Sequence, residues 1–368
     1  MRRALELAAR GRCGCSPNPM VGAVLLDRDG HLAGEGYHRA FGGPHAEIEA
    51  LAAAGDRARG GTLFVTLEPC SHHGKTPPCV DAIVAAGVGK VVVAMRDPTE
   101  DAGGGVERLR GHGVEVETAG ATEARLARAL NRRWLRMAEV GRPWVSLKAA
   151  VSLDGRVATR DGQSKWVTGA AARRRGLELR EEHDAILVGV ETVLADDPRL
   201  TRRLGLNPVR STWRRVVLDS RLRTPSDAVV LSLVEEQPTW LVHTPLAADP
   251  DRRRLRDAGA QLIEVPARED GRVALEPLAR ELAERGVAAL LVEGGPTVHG
   301  SWVDAGLVDE VFLFMAPMLI GGPAPVAVAG AGVSELRLAP RFRFEDVTVL
   351  DDDVELHAVA PEDACSPA

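Results

Sequence analysis

The spacing of apolar residues changes character several times along the chain. Residues 4–10 carry apolar positions at helical spacing and predict a short helix. Residues 21–26 and 31–38 are apolar-rich runs separated by Asp27-Arg28-Asp29-Gly30, which predicts a β-hairpin with an Asp/Gly turn. A helix follows over 46–54, stopped by Gly55, then a buried strand over 62–67 and a helix over 78–86 ended by Gly87. Strands are expected at 90–95 and 114–118 with a helix between them. A long Arg-rich amphipathic helix is expected over 124–139. An opening hairpin followed by strand–helix alternation means a mixed sheet with helices packed on it.

Gly141-Arg142-Pro143 breaks this pattern, because proline ends the helix and Trp144-Val145-Ser146-Leu147-Lys148 begins a strand. Further strands are expected at 185–190, 215–219, 239–243, 288–292 and 310–315. Residues 347–359 read as a closing hairpin around Asp351-Asp352-Asp353, and 361–368 as a loose tail. Both halves are α/β and they do not repeat each other. The expected domains are 1–141 and 142–368.

A length of 368 residues suits two domains. No apolar run approaches the roughly 20 residues of a membrane-spanning helix, and the N-terminus lacks a secretion signal. A cytoplasmic protein that engages no membrane is expected. Net charge is −6 in all, +1 up to Val140 and −7 beyond it, so neither half carries the basic excess of a nucleic-acid binder. Five cysteines, thinly spread, are no disulfide framework. Of 46 basic residues only Lys75, Lys90, Lys148 and Lys165 are lysine, so each marks a place where a compact ammonium is wanted.

The sharpest chemical signal is Pro44-His45-Ala46-Glu47, followed by Pro69-Cys70 and then Cys79. One imidazole and two thiolates supply three zinc ligands and leave a fourth tetrahedral position open, the mark of a catalytic site. Glu47, two residues past the first ligand, is placed to move protons. The pattern matches the zinc deaminase signature, except that eight residues separate the two cysteines. Cys13 and Cys15 read as packing residues, and His72 and His73 as site lining.

Ser16-Pro17-Asn18-Pro19-Met20-Val21-Gly22, Gly34-Glu35-Gly36-Tyr37-His38, the Pro44–Glu47 motif and the stretch from Thr66 to Cys79 resemble the bifunctional riboflavin-biosynthesis deaminase/reductases, in which the wide cysteine gap is usual. In the second half, Leu147-Lys148-Ala149-Ala150, Ser164-Lys165-Trp166, Ala195-Asp196-Asp197-Pro198-Arg199-Leu200 and Glu293-Gly294-Gly295-Pro296-Thr297 carry the same likeness. The resemblance implies a cytidine-deaminase-like mixed sheet with flanking helices, then a dihydrofolate-reductase-like α/β domain. It implies Zn2+ and NADPH as cofactors. By the same likeness Asn18, His38 and Lys75 face a pyrimidine. Ala150, Trp166, Thr192, Asp196, Ser220 and Gly295, Pro296, Thr297, Val298, His299, Gly300 and Ser301 meet NADPH. Ser164, Arg180, Leu200, Arg203 and Glu293 hold the phosphorylated substrate. Lys148 and Asp196 are the candidates for proton handling. One departure stands out: Asp97-Pro98-Thr99-Glu100 replaces the family's Asp-Pro-Asn-Pro.

The expected activity is zinc-dependent deamination of a phosphoribosylated diaminopyrimidine, then NADPH-dependent reduction of its ribosyl chain. The oligomeric state is left open. A tRNA base deaminase shares the zinc motif but leaves the second domain unexplained, and a non-catalytic deaminase-like binding protein leaves the intact Glu47 unexplained.

Overall fold

Asp27 sets the opening turn. Its Oδ1 accepts hydrogen bonds from the amides of Asp29 at 3.0 Å and His31 at 2.9 Å, and β1 (Gly22–Leu26) pairs antiparallel with β2 (Leu32–Tyr37). The computed structural model describes residues 1–72, 77–99, 102–206, 213–232 and 237–361. The chain divides into two compact units, the first spanning Met1–Gly141 and the second beginning at Arg142.

The first unit is a five-stranded sheet in the order β2-β1-β3-β4-β5, where β3 is Thr62–Val65, β4 is Lys90–Val93 and β5 is Glu115–Thr118. β3, β4 and β5 run parallel, and β1 runs antiparallel to β3. The apolar side chains of Leu25, Leu63, Val65, Ile83 and Val91 form the core. Helix α1 is Arg2–Ala9, α2 is Ala46–Ala54, α3 is Cys79–Ala85 and α4 is Gly105–Gly111. α2 lies directly on β2. A Cβ at Gly34 would sit 2.2 Å from the Ala50 carbonyl oxygen, and one at Gly36 would sit 2.3 Å from that of Ala46. These two glycines let the helix approach the strand, which fixes the height at which His45 and Glu47 enter the site.

The long helix expected over 124–139 is two helices, α5 (Ala121–Leu130) and α6 (Arg132–Val140). Amphipathic spacing continues through the break, so periodicity does not reveal it. The cause is Asn131, which is buried and bonds elsewhere. Its Oδ1 accepts from the Met20 amide at 2.7 Å, and its Nδ2 donates to the Met20 carbonyl at 3.0 Å. Asn131→Ala would leave both Met20 groups unpaired. We expect it to destabilise the first unit by about 1–3 kcal/mol, seen as an earlier unfolding transition of the full chain in denaturant. Gly141, at φ 72°, ends α6 in a left-handed conformation that favours glycine.

The second unit is a nine-stranded sheet. Its strands are β6 (Trp144–Ser152), β7 (Ala185–Gly189), β8 (Arg214–Leu218), β9 (Thr239–His243), β10 (Gln261–Glu264), β11 (Ala289–Val292), β12 (Glu310–Ala316), β13 (Arg343–Leu350) and β14 (Asp353–Val359). The order is β10-β9-β8-β7-β11-β6-β12-β14-β13. Strands β10 to β12 in that order are parallel, and β14 and β13 close the sheet antiparallel. β10 was not expected from sequence. It is an outer strand with exposed Gln261 and Glu264, so its apolar signal is two residues long. Helices α7 (Ala170–Glu182), α8 (Val190–Asp196), α9 (Asp249–Asp257), α10 (Leu275–Glu284) and α11 (Pro296–Asp304) cover the sheet. β7, Ala-Ile-Leu-Val-Gly, is buried at every position, as a strand covered on both faces must be.

After β7 the chain turns outward to β8, and after β11 it crosses to β12. The carboxyl ends of β7 and β11 are therefore a switch point, where α/β sheets open a crevice for ligands.

Candidate active sites

In the first unit His45 caps α2 and Cys79 opens α3. His45 Nδ1 lies 3.2 Å from Cys79 Sγ and 3.6 Å from Cys70 Sγ, and the three donor atoms all fall within 4.8 Å of one another. Tetrahedral zinc, with Zn–S near 2.3 Å and Zn–N near 2.0 Å, sets neighbouring donors roughly 3.6–3.8 Å apart. The donor set and its spacing fit the ion. Cys70 is held down to about 4, chiefly by the hydrogen bond it accepts from Cys79 and further by His45. The site thus already favours a thiolate. Cys13 and Cys15 stand outside this cluster; Cys15 is buried.

His45 and Cys70 line a cavity of about 370 Å³, with Asn18, His38, Phe41, Glu47, Glu68, His72, Asp97, Thr99 and Trp134. That volume suits a small heterocycle. Glu47 is 3% exposed, and burial pushes its carboxyl above the usual range, which suits a group that must both take and return a proton. His38 is also buried, and burial pushes its imidazole down. Its Nδ1 donates to the Pro44 carbonyl at 2.9 Å, and its Nε2 faces Asn18 Nδ2 at 3.1 Å. Neutral imidazole with the proton on Nδ1 accepts from the Asn18 amide, which leaves Asn18 Oδ1 as an acceptor for a ligand. Asn18 and His38 therefore meet at the cavity, whereas Lys75 and His73 lie outside the described residues, as does Glu100.

Thr99, the departure noted above, stands in the cavity wall. Its amide and hydroxyl both donate to Asp97 Oδ1, at 2.9 and 2.6 Å. Glu68 accepts from the amides of Val106 at 2.8 Å and Asp97 at 3.2 Å, which pins that loop against the cavity. Sequence reasoning missed Glu68, Phe41 and Trp134. Glu68 lies within the quoted Thr66–Cys79 stretch but was given no role, and only folding brings residue 134 beside residue 18.

In the second unit the register places Lys148 beside Glu293. Leu147 is opposite Val292 across β6 and β11, so the next residues share a level. Lys148 Nζ lies 3.7 Å from Glu293 Oε2. Arg180, from α7, grips the same carboxylate through Nε and Nη2, both at 2.9 Å. Burial would raise Glu293, yet Arg180 and Lys148 hold it at about 2. Arg180 Nη1 also reaches the Thr201 carbonyl at 3.5 Å, and the exposed Arg203 donates to Thr201 Oγ1 at 3.2 Å. So Lys148, Arg180, Arg203 and Glu293 come together. Leu200 adjoins them, but its side chain is buried in the core and its carbonyl accepts from Trp213 Nε1, so the side chain offers a ligand nothing. Asp196 is exposed and pairs with Lys165 at 3.4 Å rather than with Lys148. Ser164 is exposed, and Trp166, 69% exposed, lies under the Arg173 guanidinium.

At the β11–α11 junction Gly295 caps α11, Pro296 brings no N–H, and the amides of Val298 and His299 donate to the Gly295 carbonyl at 3.0 and 3.1 Å, which leaves the Thr297 amide without a partner among the described residues. A Cβ at Gly294 would meet Val298 at 2.6 Å, and one at Gly189 would meet it at 2.8 Å. The two glycines let Val298 of α11 pack closely against the ends of β7 and β11, which sets the helix start at the switch point. Thr192 and Asp196 lie on α8 beside this junction, and Ser220 follows β8 with its Oγ accepting from the Val273 amide at 3.2 Å. Ala150 is half-buried on β6. Thr297 and Ser301 project from α11, while His299 is buried with Nδ1 donating to the Ala327 carbonyl at 2.9 Å. A Cβ on Gly300 would overlap the Ala329 backbone, so this position packs rather than binds.

Two family models match the chain. Residues 1–95 match the cytidine and deoxycytidylate deaminase zinc-binding region, and residues 143–356 match the RibD C-terminal domain. The chain is 42% identical to the riboflavin biosynthesis protein RibD of Bacillus amyloliquefaciens, over 99% of this chain and 96% of that protein. It is 41% identical to the RibD of Escherichia coli K12, over 98% of each. Among solved structures, RibD of Acinetobacter baumannii superposes with a TM-score of 0.88 at 38% identity, covering 98% of both chains. A diaminohydroxyphosphoribosylaminopyrimidine deaminase/5-amino-6-(5-phosphoribosylamino)uracil reductase from Thermotoga maritima superposes with a TM-score of 0.81 at 35% identity, covering 98% of this chain and 97% of that one. With a zinc-type donor triad in the first unit and likeness to RibD proteins running from end to end, the chain belongs to the RibD family of riboflavin biosynthesis proteins.

Proposed function

We propose that the chain performs two consecutive steps of riboflavin biosynthesis. Residues 1–141 hydrolytically deaminate 2,5-diamino-6-(5-phosphoribosylamino)pyrimidin-4(3H)-one. Residues 142–368 reduce the ribosyl side chain of 5-amino-6-(5-phosphoribosylamino)uracil to ribityl with NADPH. The observation that carries this reading is the clustering of His45, Cys70 and Cys79, with His45, Cys70 and buried Glu47 lining one cavity, in a chain whose relatives match both units.

In the first unit, His45, Cys70 and Cys79 would hold zinc, which would supply the Lewis acidity that makes a bound water ionise near neutral pH. Glu47 accepts the proton of the attacking water and returns it to the amino nitrogen that leaves as ammonia. Asn18 Oδ1 accepts from an N–H on the pyrimidine edge, oriented by His38. Lys75 and Thr99 complete the substrate contacts. In the second unit, NADPH supplies the hydride. Its binding residues are Ala150, Trp166, Thr192, Asp196, Ser220 and, around the start of α11, Gly295, Thr297 and Ser301. Lys148 Nζ, beside the Glu293 carboxylate, delivers a proton to the ribosyl ring oxygen as its bond to the anomeric carbon breaks and that carbon takes the hydride. Ser164, Arg203 and the backbone at Leu200 take the substrate phosphate, with Arg180 beside them.

The partner is thus a small phosphorylated pyrimidine, with no nucleic acid or membrane, in the cytoplasm. No helix among the described residues is long and apolar enough to cross a membrane. Self-association belongs to the same reading. β13 ends the sheet with one side unpaired and exposes Phe344, Val347 and Val349, an apolar edge that a second copy would cover. Sedimentation should find more than one chain per particle at micromolar concentration, and a monomer overturns that part.

One coupled assay tests the main reading. The purified, zinc-loaded chain, given the diaminopyrimidine phosphate and NADPH, should release one ammonia for each NADPH oxidised. Ammonia without NADPH oxidation removes the second activity. No ammonia, with normal oxidation on the deaminated product, removes the first.

A further inference from the structure

We infer that Trp134 is a binding residue of the deaminase cavity, where its indole stacks on the pyrimidine ring. No motif or family pattern quoted above includes it. The inference rests on the deaminase reading and deepens it.

Part of the cavity lining offers polar edges: Asn18, His38, Glu47, Asp97 and Thr99. Such groups can read the rim of a planar ring but gain little over its faces. A face needs a flat apolar surface, and aromatic side chains supply it. Trp134 is the largest such surface in the cavity and the sole tryptophan among residues 1–141. It differs from the tryptophans that serve the other unit's interior. Trp144, Trp213 and Trp240 spend their indole N–H on Glu310, the Leu200 carbonyl and Gln261, and Trp302 is fully buried. Trp134 is half-buried, and among the described residues no hydrogen bond engages its N–H.

Its placement is also fixed. It lies in the first turn of α6, directly after the break at Asn131. Asn131 clamps both backbone groups of Met20, and Met20 is two residues from Asn18. The wall that reads the ring's edge and the residue that would cover its face are thereby tied to each other. The inner side of Trp134 packs against the cluster containing Leu67, Ala94, Met95 and Leu135, and Leu67 itself lines the cavity. The indole is thus backed by core, which limits the conformational entropy lost when a ligand settles on it.

The test compares full-length, zinc-loaded wild type with Trp134→Leu and Trp134→Phe. Leucine fills the packing space without a π-face, and phenylalanine restores one. Trp134→Leu should raise the deaminase KM for the diaminopyrimidine phosphate about tenfold or more, with kcat within a few-fold of wild type. Trp134→Phe should recover most of that affinity. Zinc content and reduction of the deaminated product should match wild type in both. A wild-type KM in Trp134→Leu overturns the inference, and so do equal losses in the two variants. Loss of zinc from Trp134→Leu also overturns it, since the role is then structural. A wild-type chain that releases no ammonia overturns the deaminase reading itself.

Discussion

Glu47→Gln should lower ammonia release by about 10²–10⁴-fold while leaving the zinc in place. The side chain keeps its size and most of its hydrogen bonding but can no longer carry a proton. It is nearly inaccessible, so bulk water cannot easily substitute for it. Zinc should stay because Glu47 is not among the three clustered donors. Reduction of the already deaminated product should continue, because Lys148, Glu293 and the β11–α11 junction lie in the other compact unit. On the diamino compound the variant should oxidise little NADPH, since the reductase substrate never forms. Four rates decide this: wild type and variant, each on both substrates. Near wild-type deamination would mean that Glu47 is not the base. Loss of reduction on the deaminated product would mean that the two activities are not separable at Gly141-Arg142.

Glu293→Gln should strike the second unit as hard. The carboxylate sits between Arg180 and Lys148, and its side chain is 11% exposed. Removing its charge leaves two like charges facing each other in a mostly buried place. Breaking a buried pair in this way costs about 3–5 kcal/mol, and the reductase should lose both stability and activity. Deamination should be spared. The pH dependence gives an independent check. The carboxyl is held at about 2 in the folded unit against 4.5 ordinarily. A depressed carboxyl contributes fully above its unfolded value and loses that contribution as pH falls through the folded one. Wild type should therefore shed stability between roughly pH 4.5 and 2. Glu293→Gln should lack that part of the decline, as measured by denaturant unfolding across the window.

Much of this molecule was legible in the residues. The zinc triad is local: a helix start, a strand end and the next helix start carry His45, Cys70 and Cys79, and each element is announced by its own apolar spacing. The hairpin at Asp27 and the helix stop at Gly141 rest on side-chain and backbone chemistry confined to a few positions. The parallel strands of the second unit show as short apolar runs because both faces are covered. What the tertiary structure alone decided depends on contacts far apart in sequence. Asn131 breaks a helix whose periodicity runs on, because its partner Met20 lies 111 residues away. Trp134 joins the cavity only through that folding. Asp196 and Lys148, paired in expectation by their roles, take different partners, since strand register sets Lys148 beside Glu293 while Asp196 ends an exposed helix. Arg180, expected to hold a phosphate, has spent two of its donors on Glu293 before any ligand arrives. Residue type and spacing determine which chemistry the chain can perform. Register, burial and long-range hydrogen bonds determine which side chains meet, because those energies exist only once the sheet has assembled.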